Sequence, residues 1–455
     1  MRLFAIATPA TVLVLGACAQ ASLGMLGESG RSGSSPRFPA ALPRVAQAPA
    51  ADEASTATSL TLAEAYRLAL TQSERVQITT RQVESERLLR RATRDTILPT
   101  ATITGSANLR REIVSNDVVI QNGRELGVEG RLAQPLFRRG ALSSLRAGEY
   151  GIEAARDTSL REQETLARDV ASAFIGVLRT RKLIELAKVA MARAQEQYDQ
   201  AAARAKSGNA LRNPELQARV DLKRAAQQAV NAKRDALVAD ALFLRLVGSA
   251  PPAQLVLPAE PTLPPVDQAL VQARKRADVR SLETRFAEAS TSAEAAQASR
   301  WWPRADVVGT IQYFTPSFGG RNYEWNVLGT LTIPVFEANQ HTVVATRNNE
   351  TRLAELEYQA QLRIVDEEVA AAAAQVTGSQ EAETLAAEQL EAARDLYKLV
   401  DKQFKLGAVT YLEITNAQAV LVEAENTYEV SRMARVAAIY DYLYAIGTLD
   451  LAAAR

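Results

Sequence analysis

A chain of 455 residues with 53 lysines and arginines against 52 aspartates and glutamates has a formal net charge of +1, which offers no electrostatic footprint for a nucleic acid. A single cysteine excludes an intrachain disulfide, and one cysteine with one histidine leaves little for thiol or imidazole chemistry. Aromatic residues make up only 5% while alanine is abundant, a mixture that suits long helices packed through small side chains.

The chain opens "MRLFAIATPATVLVLGACAQA", with basic Arg2, a short apolar core to Leu15 and small residues after it, the layout of a secretory signal peptide over residues 1–17. Leu15, Gly16, Ala17 and Cys18 resemble the bacterial lipobox, in which Cys18 takes the lipid and becomes the mature N-terminus. Ala17, Ala19 and Ala21 also satisfy ordinary small-x-small cleavage. Residues 18–58 are rich in Gly, Ser, Pro and Ala and read as a flexible leader. From Ser59, "SLTLAEAYRLAL" offers a hydroxyl cap ahead of apolar positions at helical spacing.

Alternation then replaces helical spacing. Ala101, Ile103, Gly105, Ala107 and Leu109 stand against Thr102, Thr104, Ser106, Asn108 and Arg110, which predicts a strand near 100–110. Leu126, Val128, Gly130 and Leu132 predict a second near 126–135, with a polar loop, "REIVSNDVVIQNGRE", between them. No proline falls between Pro135 and Pro214, and Leu166, Val170, Phe174, Val177, Arg181 and Ile184 step by three or four. A helix from Ile152 to Ala205 would be about 80 Å long. It should stop at Gly208, and a second helix starts within a few residues, so 206–214 reads as the tip of an antiparallel hairpin.

A Pro-rich connector, "PPAQLVLPAEPTLPP", occupies 250–265, and the plan then repeats. Strands are predicted near 304–314 and 325–334, a long helix carrying Leu362, Val365, Val369, Leu396, Leu399 and Val400 on one stripe follows, and a second tip falls near 405–411. Pro99, Pro135, Pro303 and Pro334 stand where helical and alternating patterns meet and read as joints. Pro135 and Pro334, Phe137 and Phe336, Tyr198 and Tyr397, Lys206 and Lys405, Gly208 and Gly407, Ala218 and Ala417, Leu222 and Leu421, Leu244 and Leu443, and Gly248 and Gly447 are each 199 residues apart. So long a period marks a duplicated half-molecule, 59–249 and 266–455, and not a solenoid.

Four strands of about ten residues, each with one apolar face, suit a transmembrane barrel, although a soluble sheet lying on helices would be written the same way. Trp301, Trp302, Tyr313, Phe314, Tyr323 and Trp325 cluster at strand ends as an aromatic girdle would place them. Four strands cannot close a barrel and open edges are not tolerated in lipid, so three chains would share twelve.

The ordered duplication, "QPLF" at 134–137 with "IPVF" at 333–336, the glycine tips, and "AIGTLDL" at 445–451 make the sequence resemble the TolC family of outer-membrane efflux and secretion channels, particularly its lipidated members. The resemblance implies a mainly α fold with a small transmembrane β part: a homotrimer whose twelve-stranded barrel continues into a long α-helical periplasmic tunnel. It implies no cofactor, no metal and no reaction. Solutes would pass from an inner-membrane transporter through a periplasmic adaptor and across outer-membrane lipid. By the same resemblance Ser207, Gly208 and Asn209, with Leu406, Gly407 and Ala408, would meet the adaptor's own hairpin tips, although a helix cap alone accounts for both glycines.

Relatives carry aspartates six and nine residues after the second tip glycine, forming acidic rings at the periplasmic entrance. Here those positions hold Glu413 and Asn416, so one ring would keep its charge unless Glu413 is a solvated helix-face residue. Small-molecule or metal efflux is expected ahead of type I protein secretion. The rival from another class is a non-channel periplasmic scaffold or adaptor. An enzyme is not indicated: no phosphate loop occurs, and His341 beside a joint reads as a surface residue.

Overall fold

The computed structural model describes residues 59–109, 113–115, 118–121, 124–206, 212–256, 260–314 and 323–449. In chain order these form β1 (Ser59–Thr61), α1 (Leu62–Gln72), α2 (Glu74–Asp95), β2 (Thr100–Leu109), β3 (Ile113–Ser115), β4 (Val118–Gln121), β5 (Arg124–Phe137), α3 (Arg139–Lys206) and α4 (Arg212–Val247). The second half follows as β6 (Gln254–Val256), α5 (Val266–Ala273), α6 (Ala277–Trp301), β7 (Arg304–Phe314), β8 (Tyr323–Thr332), α7 (Ala338–Lys405) and α8 (Tyr411–Ala445).

The duplication is written into the bounds. α3 and α7 each have 68 residues, about 100 Å of helix, and begin and end 199 residues apart. The starts of α4 and α8, and of β5 and β8, keep the same interval. α3 begins well before the predicted Ile152. Gly140 and Gly151 weaken helical propensity there, yet each sits under a neighbour. A Cβ on Gly140 would lie 2.8 Å from the Ala295 carbonyl of α6, so these glycines allow close helix approach.

Two segments read as loops carry strand pairing. Within the predicted polar loop, β-branched Val114 and Val119 pair in a small β3–β4 hairpin. In the Pro-rich connector, β6 lies parallel to β1, with Leu255 opposite Leu60.

The largest core is built on the predicted α3 stripe. Leu166, Val170, Phe174 and Val177 are buried against Phe243 and Val247 of α4, Leu62 and Tyr66 of α1, and Tyr440 of α8. A second core centres on Val365 and Val369 of α7 with Ala269 and Ala273 of α5 and Ile446. Leu396 and Leu399, expected on the same stripe as Val365, are exposed instead, because at 100° per residue they fall on the far side of α7 from Val365 and Val369.

Between the cores lies a buried polar hub that no repeat pattern announced. The Arg276 guanidinium, 1% exposed, donates to both carboxylate oxygens of Asp278 (3.1 and 2.7 Å), to Glu368 (2.6 Å) and to the Ala445 carbonyl at the end of α8 (2.9 Å). Arg161 stacks on the Tyr444 ring at 3.7 Å and donates to the Tyr444 carbonyl. Burial alone would raise the Asp278 carboxyl, but bonds from Arg276 and the nearby Arg161 outweigh it and hold it below its usual range. In this way α3, α6, α7 and α8 are tied at one level. Among the described residues no helix is long and apolar enough to cross a membrane.

Candidate functional site

The candidate functional residues lie in two regions of the described structure: the four-stranded sheet and the hairpin tips. The sheet has the order β2-β5-β7-β8, every pair antiparallel, leaving β2 and β8 as edges. Register sorts its faces. Ile103, Gly130, Ile311 and Trp325 form one row across all four strands, and Ala101, Leu132, Gly309 and Val327 form the next. On the opposite face run Thr102, Arg131, Thr310 and Asn326, then Thr104, Glu129, Gln312 and Glu324.

The polar rows bond internally. Thr310 Oγ1 donates to Asn326 Oδ1 at 2.8 Å, and Gln312 Nε2 donates to Glu129 Oε2 at 2.7 Å. The apolar rows are uncovered, with Ile103 84% and Trp325 71% exposed. A contiguous apolar face of this extent is a surface that water disfavours, and a face packed on helices, as in a soluble sheet, would be buried.

Of the four prolines, Pro99 and Pro303 stand directly before β2 and β7, and Pro334 lies in the link between β8 and α7. Pro135 differs. It falls inside β5, which continues to Phe137 through a register shift between Pro135 and Phe137, so the missing N–H is absorbed by a bulge instead of ending the strand.

In the second region, α7 closes in a two-bond glycine cap. Gly407 takes φ +75°, its N–H donates to the Phe404 carbonyl at 3.1 Å, and the Ala408 N–H reaches the Gln403 carbonyl at 2.9 Å. Leu406 is 83% exposed, Gly407 and Ala408 are open to solvent, and nothing lies within 4 Å of where a Gly407 Cβ would be. Ser207, Gly208 and Asn209 of the first tip, and Cys18, lie outside the described residues. The last turns of α3 and α7 nevertheless end side by side, since the Arg204 guanidinium sits 5.0 Å from the Phe404 ring centre.

Glu413 has a local task that the sequence reading missed. Thr410 and Glu413 form a reciprocal capping box at the start of α8: the Glu413 N–H donates to Thr410 Oγ1, and Glu413 Oε2 accepts from the Thr410 N–H at 2.6 Å. The pattern was present as Thr-Tyr-Leu-Glu. Both Glu413 and Asn416 are exposed, and Asn416 lines a groove of about 490 Å³ between α3, α4 and α8. Nearby, burial and the Asp221 carboxylate push the Tyr411 hydroxyl up to about 12. Among the described residues no cluster of three or more His, Cys, Asp or Glu could hold a metal ion.

The family model described as "Outer membrane efflux protein" matches residues 65–249 and 267–440, most of the chain. No curated protein sequence matches significantly. Among solved structures, CusC, studied for the conformational changes accompanying folding and transmembrane channel formation, superposes with a TM-score of 0.76 at 18% identity, covering 85% of this chain and 92% of that one. The CmeC outer membrane channel of Campylobacter jejuni gives 0.76 at 16% identity, covering 85% of each chain. The outer-membrane channel OprN gives 0.75 at 18% identity, covering 85% of this chain and 89% of that one. At such identities the likeness is one of fold.

Proposed function

The chain belongs to the outer membrane efflux protein family, and from that membership we propose that three copies join their sheets into one twelve-stranded barrel above a helical periplasmic tunnel. The observation that carries this reading is the sheet itself. It has two free edges, β2 and β8, an exposed apolar face and a hydrogen-bonded polar face. Free edges and an apolar face are both unstable as they stand. Joining β8 of one copy to β2 of the next satisfies the edges, turns the apolar face to lipid and lines a lumen with Thr102, Arg131, Thr310 and Asn326.

The channel passes small molecules or metal ions outward from an inner-membrane transporter and a periplasmic adaptor, and its own chemistry is passive. The open tip at Leu406, Gly407 and Ala408, with Ser207, Gly208 and Asn209 in the first copy, meets the adaptor. Three copies of Glu413 leave one acidic ring at the entrance, where Asn416 contributes none. Cys18 anchors the mature N-terminus by lipid, and an unmodified Cys18 in mass spectra of the mature protein would remove that anchor.

The test is conductance of the purified protein in a planar bilayer, with its oligomer mass measured in the same detergent. Trimers giving discrete, small conductance steps are expected. Monomers that never insert would overturn the shared barrel and return the strands to a periplasmic rod.

A further inference from the structure

Where the strands meet the helices, two consecutive tryptophans each carry an arginine. The Arg139 guanidinium lies 4.4 Å from the Trp302 ring centre, and that of Arg300 lies 4.6 Å from Trp301. Trp301 is 64% and Trp302 44% exposed. Pro303 and the extended backbone of Trp302 end α6 at this point, so both rings are fixed at the foot of β7. Trp302 also meets Phe137, whose centroid is 6.3 Å away and which is paired with Ala305 in the apolar row of the sheet. The cluster is therefore continuous with the apolar face.

The cations here divide into two kinds. Arg138 and Arg304 are neutralised by Asp306 (2.9 Å) and Glu337 (3.1 Å). Arg139 and Arg300 have no carboxylate partner among the described residues. Arg300 instead meets His341 Nε2 at 2.9 Å, and because a guanidinium can only donate, Nε2 accepts. Two guanidinium groups laid on indole faces, free of carboxylates and set at the rim of an apolar band, match one chemistry. The rings favour the amphipathic boundary of a bilayer, and the guanidinium fork fits a phosphate.

We propose that Arg139 and Arg300, held on Trp302 and Trp301, bind the phosphate of anionic phospholipid in the leaflet that meets the helix–strand junction. The proposal rests on the membrane reading of the sheet. Stacking holds each planar guanidinium against its ring, so less freedom is lost when the phosphate docks than for an unsupported arginine. It fixes the depth at which the junction sits and gives the chain a preference for charged over zwitterionic lipid.

The chain has three tryptophans, so Trp325→Phe leaves emission from Trp301 and Trp302 alone. In that background the full-length protein is reconstituted in vesicles containing brominated phosphatidylglycerol or brominated phosphatidylcholine, and quenching is compared with and without Arg139→Gln and Arg300→Gln. Phosphatidylglycerol should quench more strongly, with the preference falling roughly fivefold for each arginine removed. Excess inorganic phosphate at matched ionic strength should leave the preference in place.

Equal quenching by the two lipids, or a preference that survives the double substitution, overturns the proposal while the barrel stands. A preference abolished by inorganic phosphate assigns the site to the free anion and overturns the lipid. No quenching by either lipid means that the junction does not reach a bilayer, and the membrane reading falls with the proposal.

Discussion

α3 and α7 have the same length and the same register, yet eighteen residues of α3 are buried and only seven of α7. Position explains the difference. α3 packs against α1, α2, α4, α6 and α8, whereas α7 has α5, α6 and α8. Apart from Val343 near its start, the large apolar residues that α7 leaves exposed are not scattered. Leu353, Leu356, Ile364, Leu385, Leu396 and Leu399 fall within roughly 100° of arc at 100° per residue. The α3 residues 199 positions earlier are Ala154, Asp157, Thr165, Leu186, Gln197 and Gln200, mostly small or polar. Duplication thus copied length and turn chemistry but not packing. One helix closes the protomer's core, and the other carries an exposed stripe that, in the trimer proposed above, another copy would cover.

Substitution on each helix would sharpen that contrast most. Phe174, fully buried in α3 against Phe243, should lose about 4 kcal/mol on truncation to alanine, read as a lowered melting temperature in detergent. Leu399→Ala removes a side chain 56% exposed in the protomer and should change the protomer's own stability by no more than about 0.5 kcal/mol. Its effect should appear in the oligomer, as trimers that dissociate at lower temperature. Trimer dissociation unmoved by Leu399→Ala would break the comparison, since the α7 stripe would then have no partner.

A smaller contrast separates two glycines of the second hairpin. Gly447 and Gly407 both hold left-handed backbone, φ +72° and +75°, so alanine at either should cost about 1–2 kcal/mol. Only Gly447 is also crowded: a Cβ there would lie 2.6 Å from Arg276 Cγ in the buried hub. Gly447→Ala should therefore be the more destabilising, and equal melting temperatures would show that the hub yields freely. A bulky residue such as tryptophan at Gly407, where nothing lies within 4 Å, should leave trimers assembled and abolish export. Export that survives it would move the adaptor contact away from the tip.

What the sequence disclosed follows from the same contrast. Much of what the duplication copied was legible: the hairpins, the four strands, the second tip and the 199-residue interval itself. What only one half contains was not. Arg276 and Asp278 stand 199 residues after Gln77 and Thr79, so no internal echo marked the hub, and two charged side chains near a helix start look like any solvated pair. The early start of α3 was hidden because Gly140 and Gly151 read as helix weakeners until the helices pressed against them are known. Leu396 and Leu399 were assigned to the stripe of Val365 by local spacing alone, whereas counting 100° per residue along the whole of α7 sets them on its opposite side. The Glu413 capping box, in contrast, was written locally and could have been read.

That box gives the last and thermally smallest test. Glu413 is offered two tasks, capping α8 with Thr410 and charging the entrance, and they respond differently to substitution. Glutamine can keep the reciprocal bonds at this position, so Glu413→Gln should change stability by no more than about 0.5 kcal/mol. It removes the carboxylate all the same, and cation preference, read as reversal potential across a salt gradient in a planar bilayer, should fall. Alanine removes both bonds and charge, and should add a loss of about 1 kcal/mol to the same change in selectivity. If glutamine leaves the reversal potential where it was, Glu413 lies outside the conduction path and its carboxylate serves the helix alone.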